Sequence, residues 1–370
     1  MNRKIERLFD EELLMKSREA KERFFENYTI SHPKMRMALN DLKKEIYSGD
    51  YNIVLIVGPS GVGKSRLFDE TLRSILIDMT KELEIDRSMI PISGIELPNP
   101  DLGKFNWKDF YYRALNALNE PLIKQKININ IPGETFDNIR STGTAPELRR
   151  SLENAFYYRK TKALLIDEAQ HFFKIGTGKA VESQFNSIKS LANMGNTKFI
   201  LFGTYDLNHV INIDGQLSRR VKEIHFSRYD YRDKNDIKFF RSLLYTFQKL
   251  LPVEEEPNLI QAHEYIYENC IGCAGILKNW LQRSLRYAFE NEEKTITMEN
   301  LKVNTLQTQK LLTLAEEAIA GELEFMEKEE DKEKLRLLLG IREKSEKTNS
   351  IQKTNRTPGV RKPNRDSVGL

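Results

Sequence analysis

Five short apolar runs, at 52–57, 90–97, 163–167, 199–203 and 221–226, stand out from a chain in which charges of both signs are otherwise mixed. They are short, apolar and rich in Ile, Val, Leu or Phe. Runs of that length and type predict strands buried on both faces. Between them, apolar residues recur three and four apart at 66–83, 107–118, 146–159 and 182–194, which predicts amphipathic helices. Strands and helices in alternation predict an α/β architecture, a mainly parallel sheet covered on both sides.

After position 226 the pattern changes. "DKNDIKFFRSLLYTFQKLLP", "NLIQAHEYIYEN" and "ILKNWLQRSLRYAFEN" keep helical spacing, and no strand pattern interrupts them. The division this predicts is a helical extension over 1–27, an α/β domain over 28–228 and a small helical domain over 229–310. A strongly charged helix follows over 311–340, either a solvated helix or a docking surface. The stretch 341–370 is polar, basic and poor in aliphatics, so it is expected to be a disordered tail.

Composition narrows the class. The hydrophobic share of 39% is enough for a real core, and the charged share of 30% suits a helix-rich chain. A net charge of +4 excludes a strongly acidic protein without establishing nucleic-acid binding. No run of about 18 apolar residues predicts a membrane span. The first residues, "MNRKIERLFDEELLMKSREAKERFF", are charged throughout and read as a cytoplasmic helix. The cysteines Cys270 and Cys273 form a lone C-x-x-C in a helical region; zinc needs about four ligands, so packing is the expected role.

The chemistry is concentrated where strands end. "GPSGVGKS" fits the phosphate-binding loop spacing at Gly58, Gly63, Lys64 and Ser65, between a predicted strand and a predicted helix. Gly58, Gly61 and Gly63 let the backbone of Gly58, Pro59, Ser60, Gly61, Val62 and Gly63 curl around a triphosphate with its N–H groups, which Pro59 lacks, facing inward. The helix that continues through Arg66 adds its positive end. Lys64 is placed to neutralise the β- and γ-phosphates and Ser65 to ligate Mg2+, so ATP and Mg2+ are the expected ligands. "ALLIDEAQHF" ends an apolar strand in two carboxylates, a costly arrangement unless they meet a cation or solvent. Asp167 suits magnesium and Glu168 suits polarising the attacking water. "KFILFGTYDLN" ends another strand at Thr204, either a γ-phosphate or water contact or a strand cap. "GQLSRRVKEIHF" puts Arg219 and Arg220 directly before the last strand. One of them can be a finger completing a neighbouring subunit's site, or both can be ordinary surface arginines.

This order of motifs resembles an AAA+ ATPase over roughly 28–306. The resemblance implies a P-loop NTPase with a five-stranded parallel sheet in the order 5-1-4-3-2 and a C-terminal helical lid. It also implies a cationic sensor in the lid, where "GILK" offers Gly275 and Lys278 in place of the usual arginine; a lysine makes no bidentate contact. Within that class, "ENYTISHPKMRMALNDLKKEI", "ISGIELPNPDLGKFNWKDFYYRALNALNEP", "LLIDEAQHF", "FGTYDL" and "QLSRRV" together resemble the TnsC/TniB-type regulators of DNA transposition. That likeness implies ATP-driven assembly of a homo-oligomeric ring or helical filament on double-stranded DNA. It implies recruitment by a target-selection protein, engagement of a transposase, and hydrolysis that dismantles the assembly.

In such an assembly the loop after the second strand lines the inner face. Its candidate DNA contacts are Lys104 and Lys108, then Lys124 and Lys126, then Arg140, Arg149 and Arg150, which would grip phosphates without reading sequence. Phe105 and Trp107 read as packing residues. A replication initiator or helicase loader shares the same ATP chemistry and is the alternative function. A signalling or defence ATPase is a third reading, with no effector domain visible for it.

Overall fold

The computed structural model describes residues 7–100, 105–121, 123, 143–174, 179–212, 219–326 and 328–341. The predictions at Lys104, Lys124, Lys126 and Arg140, and for most of 341–370, lie outside these residues. The chain divides into two compact units, Met1–Phe325 and Met326–Leu370.

The large unit is built on a five-stranded parallel sheet: β1 (Ile53–Val57), β2 (Ile92–Glu96), β3 (Ala163–Asp167), β4 (Lys198–Gly203) and β5 (Val221–His225), in the order β2-β3-β4-β1-β5. This is the expected 5-1-4-3-2 order read from the other edge. β1 lies between β4 and β5, with Leu55 opposite Leu201 on one side and Glu223 on the other. The central strands β1 and β3 are buried at every position, whereas edge strand β5 buries Val221 and Ile224 and exposes Lys222. An edge strand has one flank and part of a face in water, so polar residues there carry no desolvation penalty.

Alternation along the strands divides the core in two. Val54, Ile56, Leu165, Ile200 and Phe202 face one side, and Ile53, Leu55, Val57, Leu164, Ile166, Phe199 and Leu201 face the other. The first face is covered by α2 (Pro33–Ser48) and α3 (Lys64–Asp78) through Leu42, Ile46, Leu67 and Ile75. The second is covered by α5 (Trp107–Ala117), α6 (Ala145–Tyr158) and α7 (Lys179–Gly195) through Phe110, Leu115, Leu152, Phe156, Phe185 and Ile188. Each fully buried aliphatic or aromatic side chain contributes about 1.5–3 kcal/mol.

Helix ends follow local chemistry. Asn106 caps α5 by accepting from the Asp109 N–H at 3.1 Å, and Thr144 with Glu147 forms a capping box at α6. The helix expected over 66–83 is two, α3 and α4 (Thr80–Ile85), broken at Met79 with φ −102 and ψ 17. Thr80 Oγ1 bonds back to Leu76 O and Ile77 O, a local competitor to the helical ladder.

Downstream of β5 come α9 (Lys234–Leu250), α10 (His263–Cys270), α11 (Ala274–Glu290) and α12 (Met298–Val303), after α8 (Tyr205–Asn212) between β4 and β5. Their core of Leu243, Leu244, Leu277, Trp280 and Leu281 is continuous with the first face of the sheet. The N-terminal helix α1 (Arg18–Asn27) lies on α11: Arg18 pairs with Glu290 at 2.9 Å, Arg286 with Glu22 at 3.3 Å, and Phe25 is buried against Phe247.

Over 311–340 the chain forms two helices rather than one, α13 (Thr308–Glu324) and, in the second unit, α14 (Glu329–Leu338). α13 is anchored. Gly321 lies flat on the Tyr205 ring, Glu322 is buried against Arg228, and Phe325 leaves the helix to stack on His225 at 4.2 Å. The ring stack holds Phe325 and ends the helix there.

Candidate nucleotide site

β1, β4 and β3 are neighbours and parallel, so the residues that follow them emerge side by side at one edge of the sheet. The glycine-rich loop follows β1, Thr204 follows β4, and Asp167 and Glu168 close β3. Open α/β sheets bind ligands at such carboxyl ends.

The loop carries two left-handed glycines, Gly61 at φ 76 and Gly63 at φ 116, a backbone that other residues rarely adopt. Gly63 occupies the cap position of α3, so the first turn of that helix points its free N–H groups into the loop. Lys64 Nζ donates to Gly58 O and Pro59 O, both at 2.9 Å. Only 9% of Lys64 is exposed. Burial pushes its ammonium down to about 8, against the pull of Asp167 and Glu168. Ser65 is exposed at the mouth, beside the Asp167 carboxyl.

Burial pushes the Asp167 carboxyl above its usual range, and the adjacent Ser65 and the hydrogen bond from the Glu168 amide, 2.9 Å from Oδ1, work the other way. Glu168 stands at φ 55 and ψ 36, a left-handed conformation costing about 1–2 kcal/mol in a residue with a Cβ. Backbone strain of this kind concentrates at functional sites. Gln170 Nε2 donates to Glu168 Oε2 at 2.5 Å. Thr204 Oγ1 is buried and has no hydrogen-bond partner.

These residues fit a magnesium-bound triphosphate. The loop supplies N–H donors and Lys64, while Ser65 and Asp167, which lie side by side, would hold the metal. Among the described residues no group of three His, Cys, Asp or Glu side chains forms a protein-only cage. Magnesium takes one or two protein ligands and completes its shell with phosphate and water.

Beside the loop runs a narrow apolar cleft that sequence reasoning did not single out. It is lined by Tyr28, Ile30, His32 and Met35 from the N-terminal segment, Val62 from the loop, and Leu243, Phe247 and Gly275 from the helical region. Its lining is mostly apolar, as the walls of small-molecule clefts are. His32 Nδ1 lies 2.8 Å from the Tyr229 hydroxyl, and burial holds the imidazole at about 4, hence neutral. Three chain segments far apart in sequence build this cleft, so no local spacing marks it.

Lys278 lies in the same cleft. Its Nζ donates to Glu26 O at 2.7 Å and Tyr28 O at 2.6 Å, and Arg66 Nη2 also donates to Glu26 O, at 3.1 Å. Both cations therefore tie down the segment that forms one wall of the cleft. Burial and the nearby Arg66 push Lys278 down to about 8.

Arg219 and Arg220 precede β5, whose first residue pairs with Ile53 at the start of β1. They stand at the edge of the sheet opposite the loop, about 13 Å away along a five-residue strand. Arg219 is exposed and Arg220 half-buried; neither has an ion-pair partner among the described residues.

Of the candidate DNA contacts, Lys108 is exposed in the first turn of α5 and Arg150 is exposed on α6. Arg149 pairs with Glu153 at 2.9 Å and donates to Ser190 Oγ at 2.8 Å. It borders a shallow polar groove with Lys179, Ser183, Asn186 and Ser187. Phe105 and Trp107 pack against Phe110 and Phe172. Cys270 and Cys273 are buried free thiols, Cys273 pushed up to about 12 by burial, in keeping with packing. No helix among the described residues is long and apolar enough to cross a membrane.

Residues 48–211 match a family model described as AAA domain. No curated protein matches the chain. Among solved structures, the Aeropyrum pernix ORC2 protein aligns at 15% identity over 78% of this chain and 73% of that one, with a TM-score of 0.50. The Walker-type ATPase PABY2304 of Pyrococcus abyssi aligns at 17% identity over 81% and 78%, with a TM-score of 0.47. The Aeropyrum pernix ORC1 protein in complex with DNA aligns at 13% over 76% and 68%, with a TM-score of 0.49. The fold is that of an AAA+ P-loop NTPase, with a five-stranded parallel sheet and a helical C-terminal region.

Proposed function

We propose that this chain is an ATPase whose nucleotide state controls its assembly on double-stranded DNA. The observation that carries the reading is the meeting of Lys64, Ser65, Asp167, Glu168 and Thr204 at the ends of three adjacent strands. Lys64 and the loop amides hold the triphosphate. Magnesium, held through Ser65 and Asp167, would neutralise charge on the phosphates. Glu168 takes a proton from the attacking water, and Thr204 offers a free hydroxyl at the γ-phosphate end.

The position of the arginines supports self-association. Arg219 and Arg220 precede β5 at the sheet edge opposite their own loop, where a finger would serve a neighbouring copy rather than its own nucleotide. A homo-oligomer that binds ATP more tightly than ADP is then a switch, because differential affinity for the two nucleotides sets its population. Exposed Lys108 and Arg150 are the described residues offered to DNA phosphates.

Two finer readings divide the support. The replication initiator or helicase-loader reading has the comparisons on its side, since the structures sharing this fold include origin-recognition proteins. The transposition-regulator reading, with a transposase and a target-selection protein as partners, rests on the sequence stretches from 26 to 46 and from 92 to 121 and on the later motifs. The neighbouring genes separate them: a replicative helicase supports the first and a transposase the second.

The test is electron microscopy and sedimentation of the chain with duplex DNA, magnesium and a non-hydrolysable ATP analogue. Oligomers on DNA are expected with the wild type and none with Lys64→Ala. Glu168→Gln is expected to bind ATP and form long-lived oligomers, with turnover reduced to a slow residual rate. A wild type that stays monomeric under all these conditions overturns the assembly reading.

A further inference from the structure

Two polar atoms at the ends of neighbouring strands are buried without a hydrogen-bond partner: Gln170 Oε1 and Thr204 Oγ1. Gln170 lies in the short 3-10 turn Ala169–Phe172 that follows β3. Its Nε2 is committed, donating to Glu168 Oε2 at 2.5 Å. Its Oε1 lies against Gly203, where an added Cβ would come within 2.9 Å of it. Gly203 is the last residue of β4, and Thr204 is the next. One side-chain amide thus reaches from the carboxylate at the end of β3 to the hydroxyl-bearing end of β4. A glutamine that merely filled space would have both ends of its amide paired or in solvent, because a buried unpaired acceptor is costly.

We propose that Gln170 is a positioning residue for hydrolysis. Its Nε2 fixes the Glu168 carboxylate, and its Oε1, with the Thr204 hydroxyl, seats the attacking water. The proposal rests on the ATPase reading above and adds to it the group that aims the base. The seated water donates one hydrogen to Gln170 Oε1 and the other to Glu168, which leaves an oxygen lone pair free. As that oxygen bonds to the γ-phosphorus, the bond from phosphorus to the β–γ bridging oxygen breaks. ADP leaves with that electron pair, and the water's proton passes to Glu168. Glycine at 203 leaves room both for Oε1 and for Leu207, whose Cδ2 an added Cβ would meet at 2.8 Å.

The experiment is a set of variants read by steady-state kinetics and by equilibrium binding of a fluorescent, non-hydrolysable ATP analogue. Gln170→Ala is expected to lower kcat by about 100-fold, the scale of a misplaced reacting group. KM and the analogue's Kd are expected to stay at wild-type values. Gln170→Ala combined with Glu168→Gln is expected to be no slower than Glu168→Gln alone, as residues acting as a unit are not additive. Wild-type kcat in Gln170→Ala, a parallel loss of analogue binding, or an additive double variant would each overturn the proposal. If Gln170→Ala does not fold, Gln170→Met keeps the length without the amide and is read the same way. A wild-type chain that binds no analogue overturns the ATPase reading itself, a result distinct from normal turnover in Gln170→Ala.

Discussion

The backbone amide of Ile276 donates to the carbonyl of Gly61 at 3.1 Å, a direct bond between the C-terminal helical region and the glycine-rich loop. The approach is possible because Gly275 has no side chain: a Cβ there would sit 2.5 Å from the Gly61 carbonyl oxygen. Backbone meets backbone at this point, so neither side can yield by changing a rotamer. Gly275→Ala is expected to force the first turn of α11 off the loop, costing about 1–3 kcal/mol as overpacking does. Urea unfolding reads that cost, and ATP-analogue binding is expected to weaken with it because the same turn closes the apolar cleft beside the loop. Unchanged stability and affinity would show that the contact is incidental.

Lys278 provides a pH test. Its folded-state value of about 8 lies below the ordinary lysine value of 10.5. Below pH 8 both folded and unfolded chains carry the charge, and the folded chain bears the full cost of burying it. Between about pH 8 and 10.5 the folded chain sheds the proton first, so the unfolded chain binds more protons and stability rises with pH. The stability difference between wild type and Lys278→Met is therefore expected to move in the wild type's favour across that window. Urea unfolding of both proteins at a series of pH values checks it; a flat difference would mean the lysine keeps an ordinary pKa.

Arg228 and Glu322 form a buried ion pair, 3.0 Å between Nε and Oε1, that fastens α13 beside the end of β5. Arg228 Nη1 also donates to Tyr267 Oη at 3.0 Å and Ile271 O at 3.2 Å. Glu322→Ala leaves a guanidinium uncompensated in the interior and is expected to cost about 3–5 kcal/mol. Replacing both with Met is expected to cost less than Glu322→Ala alone, since no charge is then stranded. A double-mutant cycle by denaturant unfolding measures the difference.

Arg219 and Arg220 are told apart by mixing. Each alanine variant, inactive or slow alone, is combined with Lys64→Ala protein, which cannot hold ATP. Hydrolysis is expected to recover in the mixture for the variant whose missing arginine works in trans. The other variant is expected to gain nothing. No recovery with either would remove both arginines from the neighbouring site.

DNA binding by Lys108 and Arg150 is expected to be salt-sensitive. The slope of log affinity against log salt should be near −0.9 for each phosphate contact, and each alanine substitution should reduce it by about one contact. Fluorescence anisotropy with a labelled duplex at several salt concentrations measures it. A salt-independent affinity would exclude these side chains from the interface.

Much of this protein is decided by short-range rules. A run such as "IVLIV" can hardly be other than a doubly buried strand, because each apolar residue left in water has a cost and the run is too short for a helix. Gly61 and Gly63 mark left-handed backbone wherever they occur in this loop, and Lys64 and Ser65 follow from the same turn. The break at Met79 and the division of 311–340 were less visible, because both depend on a single back-bonding threonine or on a ring stack with a residue about 100 positions away.

The sequence by itself determined the strands, the phosphate loop and the acidic end of β3, since each is encoded by neighbours within one turn or one strand. Only the tertiary structure decided that Lys278 holds the carbonyls of Glu26 and Tyr28, that Gln170 spans two strand ends, and that Arg228 meets Glu322. A cation or an amide takes as partner whatever acceptor the packed chain brings within about 3 Å. That choice is made by the meeting of distant segments, and no local spacing records it.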